Sequence, residues 1–364
     1  MGYRYIGAKS QVIPHILSAA KSIVAAEAHV VDLMSGTGAV AVALRKHGYR
    51  VTANDVMTYS YHHARVLLLF TAPPAFVQAE DFMYDWAGPS SHRTLFAPDA
   101  YGRINQALNA VPPVQGYFWQ EFSVAGRPAN GSSPRNYFSP ENAAKIDGIR
   151  LWIRRLHEES CITDLEHSLL LHDLIMAAND IANIAGTYGH YLSKLAGRAK
   201  DQLTVRATPL TLMQDSGRHT VLRGYAEEVA AGIRCDLCYI DPPYMKRQYA
   251  ANYHILETLA REDEPEAVGQ SGLRPWRDQY SVFCTKTRVK HAFRRIFTDM
   301  ACRHFLISYS EDGLLSAVDL HTLLGEFGSV HTAEFRHKRF RSNDSQLGSH
   351  LTEYLFHLDK GTSS

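Results

Sequence analysis

Apolar and polar positions follow two regimes along this chain. Residues 28–33 form a short apolar run of strand length, 34–38 a turn of small residues, and 39–47 a helical pattern that Gly48 closes. Residues 49–53 predict a second strand ending in Asn54-Asp55, and 56–70 a helix running into Pro73-Pro74. Strand, helix, strand, helix predicts a parallel sheet of α/β type. Past residue 70 the alternation stops. A stretch rich in Pro, Gly and aromatics leads into two helices, one opened by Ser139-Pro140 with apolar residues at Ile146, Ile149, Ile153 and Leu156, the other over 163–185. Arg150, Arg154 and Arg155 on the first of these fit either a solvated face or a DNA contact. Strand patterns resume at 203–212, 220–223, 235–240 and 305–309, with 330–335 and 353–358 expected as a terminal hairpin. The pattern predicts a doubly wound α/β sheet built from 1–70 and 205–364, interrupted by a largely helical insertion over 71–204.

With 364 residues and 45% hydrophobic content the chain has ample material for a core. A formal net charge of +1 excludes a strongly basic nucleic-acid coat and leaves room for a local basic cleft. Five cysteines in no paired framework point to a reducing compartment, and Cys235-x-x-Cys238, with no second pair nearby, reads as core thiols. There is no apolar run of 18 residues and no leader-type N-terminus, so a cytoplasmic location with no membrane partner is expected. The nineteen histidines show no metal-ligand spacing, and no metal is expected.

The sharpest signal is Asp241-Pro242-Pro243-Tyr244, directly after the apolar run 237–240. At average residue usage such a match arises about once in a thousand chains of this length. These residues suit transfer to an exocyclic amino group on a planar ring. The Asp241 carboxylate can accept one N–H and the Pro242 carbonyl the other, favouring a pyramidal nitrogen with its lone pair aimed outward. Pro242 and Pro243 stiffen the turn, and Tyr244 offers a face for a base to stack on.

A second constellation is Asp32-Leu33-Met34-Ser35-Gly36-Thr37-Gly38, where Gly36 and Gly38 let backbone pass close to a ligand. A phosphate cradle, a dinucleotide site and an S-adenosyl-L-methionine site compete for it. No Gly-Lys-Ser/Thr follows, Ala41 stands where a third glycine would, and Asp32 would repel a pyrophosphate but attract an ammonium. The methionine-nucleoside reading gains, with Asp55 at the next strand end placed to accept from ribose hydroxyls.

Taken in this order, the motifs resemble the D12 class of N6-adenine-specific DNA methyltransferases, over most of the chain. The resemblance implies a Rossmann-like methyltransferase sheet, with the insertion serving DNA target recognition. It implies S-adenosyl-L-methionine as cofactor, with Tyr5 and Lys9 of Tyr5-Ile6-Gly7-Ala8-Lys9 near its methionine moiety, together with Asp32, Met34, Gly36, Gly38, Asp55 and Tyr225. It assigns the transfer site to Asp241, Pro242, Pro243 and Tyr244. Weaker echoes lie at 183–191, 253–258 and 307–310. Met34 departs from the family's usual Phe, Ala8 from a common Gly, and Tyr225 from a common Asp.

Such an enzyme must flip adenine out of duplex DNA. Lys246, Arg247 and Tyr249 after the catalytic turn, and Arg336, Lys338, Arg339 and Arg341 in the densest basic run, are the expected DNA contacts. His254 is expected to be structural. A restriction-modification or phage/host DNA-marking setting, with a cognate restriction endonuclease as partner, is consistent with this reading. A cytosine N4-methyltransferase shares the amino-group chemistry, and a non-catalytic DNA-binding protein would retain the fold without turnover.

Overall fold

A computed structural model describes residues 12–79, 99–213, 218–338 and 350–361. Seven strands form one mixed sheet: β1 (His29–Asp32), β2 (Arg50–Asp55), β3 (Thr220–Arg223), β4 (Arg234–Ile240), β5 (Ala301–Ser310), β6 (Ser329–Lys338) and β7 (His350–Asp359). Their order is β3-β2-β1-β4-β5-β7-β6, parallel from β3 to β5 and antiparallel through β7 and β6. This is an α/β Rossmann-like architecture, and the strand patterns at 220–223, 235–240, 305–309 and the terminal hairpin all fall within it.

β1 and β4 read as continuous apolar runs because both lie inside the sheet, covered on both faces. Val30 faces Leu237, Val31 faces Cys238 and Asp32 faces Tyr239 in register, all buried. From β1 the chain steps outward through β2 to β3 on one side, whereas β4 and β5 lie on the other. The winding therefore reverses between β1 and β4, and ligands of open α/β sheets bind beyond the carboxyl ends of the strands at such a reversal.

Contacts divide the chain into two compact units, one drawing on 65–216 and 251–276 and the other on 7–64, 217–250 and 277–364. The sheet belongs to the second. The first is built on helices. Pro140–Glu158 starts as its sequence dictates, with Pro140 in the first turn and the Ser139 hydroxyl accepting from the Asn142 N–H at 3.2 Å. Asp164–Ile181 opens on a capping box between Thr163 and Glu166 and is buried along most of its length.

Residues 203–212, expected as a strand, are not one. At residues 203 and 205 the backbone bonds to asparagine side chains instead: Asn142 Oδ1 accepts from the Leu203 N–H at 2.8 Å, and Asn109 bonds both the N–H and the carbonyl of Val205 at 2.9 and 2.8 Å. An apolar, β-branched run reports extended backbone, and here side-chain amides take the place of a neighbouring strand.

Arg150 is neither solvated nor available to DNA. It is buried, its Nε 2.9 Å from Asp147 Oδ1, its Nη2 paired with Glu264, and its guanidinium over the rings of Tyr117 and Phe118. Asp147 also accepts from the N–H groups of Phe118 and Trp119. Truncation would leave this buried carboxylate without its cation, so Arg150→Ala should cost about 3–5 kcal/mol in a urea unfolding curve. Full stability in the variant would refute this account. Arg154 contacts the Glu262 carbonyl, and Arg155 forms an exposed pair with Glu159.

Among the described residues no helix is long and apolar enough to cross a membrane. Cys235, Cys238 and Cys302 are buried free thiols. His254 is buried with Nε2 3.1 Å from the Tyr188 carbonyl, and burial pushes its pKa down to about 3. It stays neutral at physiological pH, as a structural residue would.

Candidate active site

The first turn after β1 is shaped by its neighbours. The Leu33 N–H donates to the Tyr239 carbonyl at 3.0 Å and the Ser35 N–H to the Asn54 carbonyl at 2.9 Å. The Gly36 N–H donates to Asp55 Oδ2 at 2.8 Å, and the Gly38 N–H to the Ser35 carbonyl at 2.8 Å. Gly36 and Gly38 hold φ of 52° and 76°, the left-handed region that a side chain disfavours. A phosphate-binding turn presents its amides outward. This turn spends four of them inside the protein, which argues against the phosphate cradle and the dinucleotide site.

Charge points the same way. Asp32, at the carboxyl end of β1, is 1% exposed, and its carboxylate oxygens have no hydrogen-bond partner within bonding geometry among the described residues. Burial, then the charges of Asp241 and Asp55, hold its pKa well above the usual carboxylate range, against a small opposing pull from the Ala41 amide. Carboxylates at the ends of β2 and β4 thus bear on the buried Asp32 at the end of β1. Among the described residues they are not arranged as a metal site. A cationic organic group would relieve both the charge and the unsatisfied oxygens, and S-adenosyl-L-methionine carries an ammonium and a sulfonium. The residues therefore fit that group.

Asp55 is half-buried, accepting from Gly36 through one oxygen and from the Met57 N–H through the other at 2.9 Å. A carboxylate oxygen can accept more than one hydrogen bond. Met34 is half-buried against the apolar cluster that includes Val31, Leu33 and Ile240. Tyr225 is half-buried, and its hydroxyl donates to the Asp278 carbonyl at 2.6 Å, which pins the outer edge of the ring.

β4 carries the Asp241–Tyr244 turn to the same edge of the sheet. Pro242 is buried, and Asp241, Pro243 and Tyr244 are half-buried. Tyr244 packs edge-on to Tyr309, ring centroids 6.0 Å apart, and its carbonyl accepts from the Leu314 N–H at 2.9 Å. A Cβ at Gly313 would stand 2.2 Å from the Tyr309 ring, so only glycine lets this segment close over the ring that backs Tyr244. Lys246 and Arg247 beyond the turn are exposed, and Tyr249 is half-buried at the start of a short helix. Arg336 is exposed on edge strand β6. Lys338 ends that strand, but its side chain, like Tyr5, Lys9, Arg339 and Arg341, lies outside the described residues.

Several side-chain amides hold these turns together. Buried Asn54 donates through Nδ2 to the Leu33 carbonyl at 3.0 Å and the Gly224 carbonyl at 3.1 Å, tying the ends of β1, β2 and β3 together. Gln279 donates to the Val56 carbonyl at 2.9 Å. Gln248 bonds the Ser281 backbone through both amide atoms, at 3.0 and 2.8 Å. Residues 278–281 thereby touch the loop after Asp55, Tyr225 and the loop after the Asp241–Tyr244 turn. Asn54→Ala should destabilise by about 1–3 kcal/mol, because two carbonyls lose their donor. Asn54→Asp should be worse, since it adds a charge beside Asp55. Equal stability of the two variants in urea melts would refute this role.

The comparisons with known proteins agree with this geometry. The family model for D12 class N6 adenine-specific DNA methyltransferases matches residues 5–316. Type II methyltransferase M.FokI of Planomicrobium okeanokoites is 33% identical over 98% of this chain and 52% of its own length. Modification methylase StsI of Streptococcus sanguinis is 30% identical over 98% of this chain and 52% of its own. Type II methyltransferase M.NlaIII of Neisseria lactamica is 29% identical over 90% of each chain. The chain thus spans about half the length of the first two relatives and most of the third. An amino-group motif after β4, a carboxylate-lined turn after β1 and a family match across both place this chain in the D12 class of N6 adenine-specific DNA methyltransferases.

Proposed function

We propose that this chain transfers a methyl group from S-adenosyl-L-methionine to N6 of an adenine flipped out of duplex DNA. The observation that carries the reading is the convergence of Asp32, Asp55 and the Asp241 turn at the carboxyl ends of β1, β2 and β4, where the sheet reverses its winding. The cofactor, when bound, supplies an electrophilic methyl on a sulfonium. Asp32 holds the cofactor ammonium, and Asp55 accepts from the ribose hydroxyls. Met34 lies against the cofactor with a thioether in place of a ring, and Tyr225 lines its adenine side. Tyr5 and Lys9 complete the methionine end.

At the target, Asp241 and the Pro242 carbonyl accept the two N6 protons and turn the nitrogen lone pair outward. Pro243 stiffens the turn. Tyr244, backed by Tyr309, stacks on the flipped ring and offsets part of the few kcal/mol that flipping costs. The proton released after transfer leaves to solvent, since a methylated ammonium is strongly acidic, so Asp241 positions the nitrogen without serving as a strong base. Lys246, Arg247, Tyr249, Arg336, Lys338, Arg339 and Arg341 supply DNA contacts near the site. The helical segment 71–204 takes part in target recognition, alongside a sheet domain from 1–70 and 205–364.

The relatives' names as Type II and modification methylases support a modification role beside a cognate restriction endonuclease. The direct test is product analysis of mixed-sequence duplex DNA incubated with the purified protein and methyl-labelled cofactor. Label on adenine N6 supports the reading, and label on cytosine N4 overturns the base assignment.

A further inference from the structure

The helical unit carries a loop that is free of acidic residues and rich in exposed cations. Residues 181–200 contain no Asp or Glu, although Asp180 and Asp201 flank them, and the segment carries His190, Lys194, Arg198 and Lys200, all exposed. Other cations of the same unit are matched to carboxylates, Arg135 with Glu121, Arg261 with Glu257 and Arg274 with Asp263. Among the described residues Lys194, Arg198 and Lys200 have no ion-pair partner.

The loop is irregular yet held at many points. The Asn183 carbonyl accepts from the Leu192 N–H at 2.9 Å while Asn183 Nδ2 donates to the Leu192 carbonyl at 2.9 Å, closing the loop on itself. Asn183 Oδ1 accepts from the Ala196 N–H at 3.2 Å, and Asn136 Nδ2 donates to the carbonyls of Leu192 and Ser193 at 3.2 Å each. Inside the loop, the carbonyl of buried Tyr188 accepts from the Tyr137 hydroxyl at 2.6 Å and from His254 Nε2. A network of buried amides and hydroxyls thus fixes a backbone that presents unmatched positive charge. Fixing it before binding removes an ordering cost at the moment of binding.

We infer that this loop, through Lys194, Arg198 and Lys200, binds the phosphate backbone of duplex DNA as a contact separate from the basic groups beside the catalytic turn. The inference rests on the reading of the chain as a DNA methyltransferase. Its contribution is electrostatic and independent of sequence, so it governs affinity and salt dependence and leaves the recognition site unchanged.

The test is fluorescence anisotropy of a labelled mixed-sequence duplex with the full chain across a range of salt concentrations. Each phosphate neutralised contributes about −0.9 to the slope of log K against log salt. The triple variant K194Q/R198Q/K200Q should flatten that slope by about 2–3 and weaken binding most at low salt. It should leave cofactor affinity by calorimetry and the thermal midpoint unchanged. The conservative variant K194R/K200R should retain the wild-type slope. A triple variant with the wild-type slope overturns the loop contact while leaving the methyltransferase reading in place. A wild-type protein that shows no salt-dependent duplex binding overturns both.

Discussion

Asp241→Ala is expected to reduce methyl transfer in a single-turnover assay by a factor of about 10²–10³, the usual cost of removing one acceptor or donor aimed at a transition state. Cofactor binding should persist, because the proposed role of Asp241 is toward the target nitrogen. A second consequence separates this prediction from generic damage. The Asp241 charge is one of the two that hold the Asp32 pKa up. Removing it lets Asp32 ionise at lower pH, so the pH at which cofactor affinity reaches half its plateau should fall in the variant. Asp241→Asn should show the same pH displacement while recovering part of the transfer rate, since its amide oxygen still accepts an N–H. Transfer at the wild-type rate in Asp241→Ala would sink the role assigned to the carboxylate. A lost rate with no displacement of the pH profile would show that Asp241 and Asp32 are not coupled.

The parts legible in the sequence share a physical character: local periodicity and residue types whose chemistry is unusual. The strand 235–240 and the Ser139-capped helix follow from burial and capping that act within a few residues, and the Asp241 turn from a tetrapeptide rarely met by accident. What escaped depends on distant partners. The expected strand at 203–212 has the right residues, but Asn109 and Asn142, remote in sequence, supply its hydrogen bonds. Arg150 looks like any arginine on a helix until Glu264 is brought to it. Asn54 stands beside a motif aspartate, and nothing in its own surroundings announces that it also bonds Gly224, 170 positions away. The same distance hides Gln279 and Gln248, whose amides hold together loops that each motif describes alone.

Asp32→Asn should weaken cofactor binding by about 10–100-fold, the worth of a charged hydrogen bond, and at the same time make the free protein more stable at neutral pH. The two effects have one cause. In the unfolded chain Asp32 titrates in the ordinary carboxylate range, near 3.9. In the folded protein burial, Asp241 and Asp55 raise it well above that. Between those limits the folded state holds a proton that the unfolded state has released. The stability tied to this group is therefore fully present below the unfolded value and is lost as pH rises through the folded one. An asparagine never acquires the charge, so the variant escapes that loss, and its thermal midpoint should exceed the parent's by a margin that grows with pH across this window. Ligand binding runs in the opposite direction. An ammonium beside Asp32 favours the carboxylate, so the parent should release a proton on binding wherever the free residue is still protonated, and its affinity should rise with pH until that residue is ionised. Calorimetry in buffers of different ionisation enthalpy would register the proton, and the variant should release none from this group. An Asp32→Asn protein that binds the cofactor as tightly as the parent, or that is less stable at neutral pH, would show that the buried charge at the end of β1 is not held there for a cationic ligand.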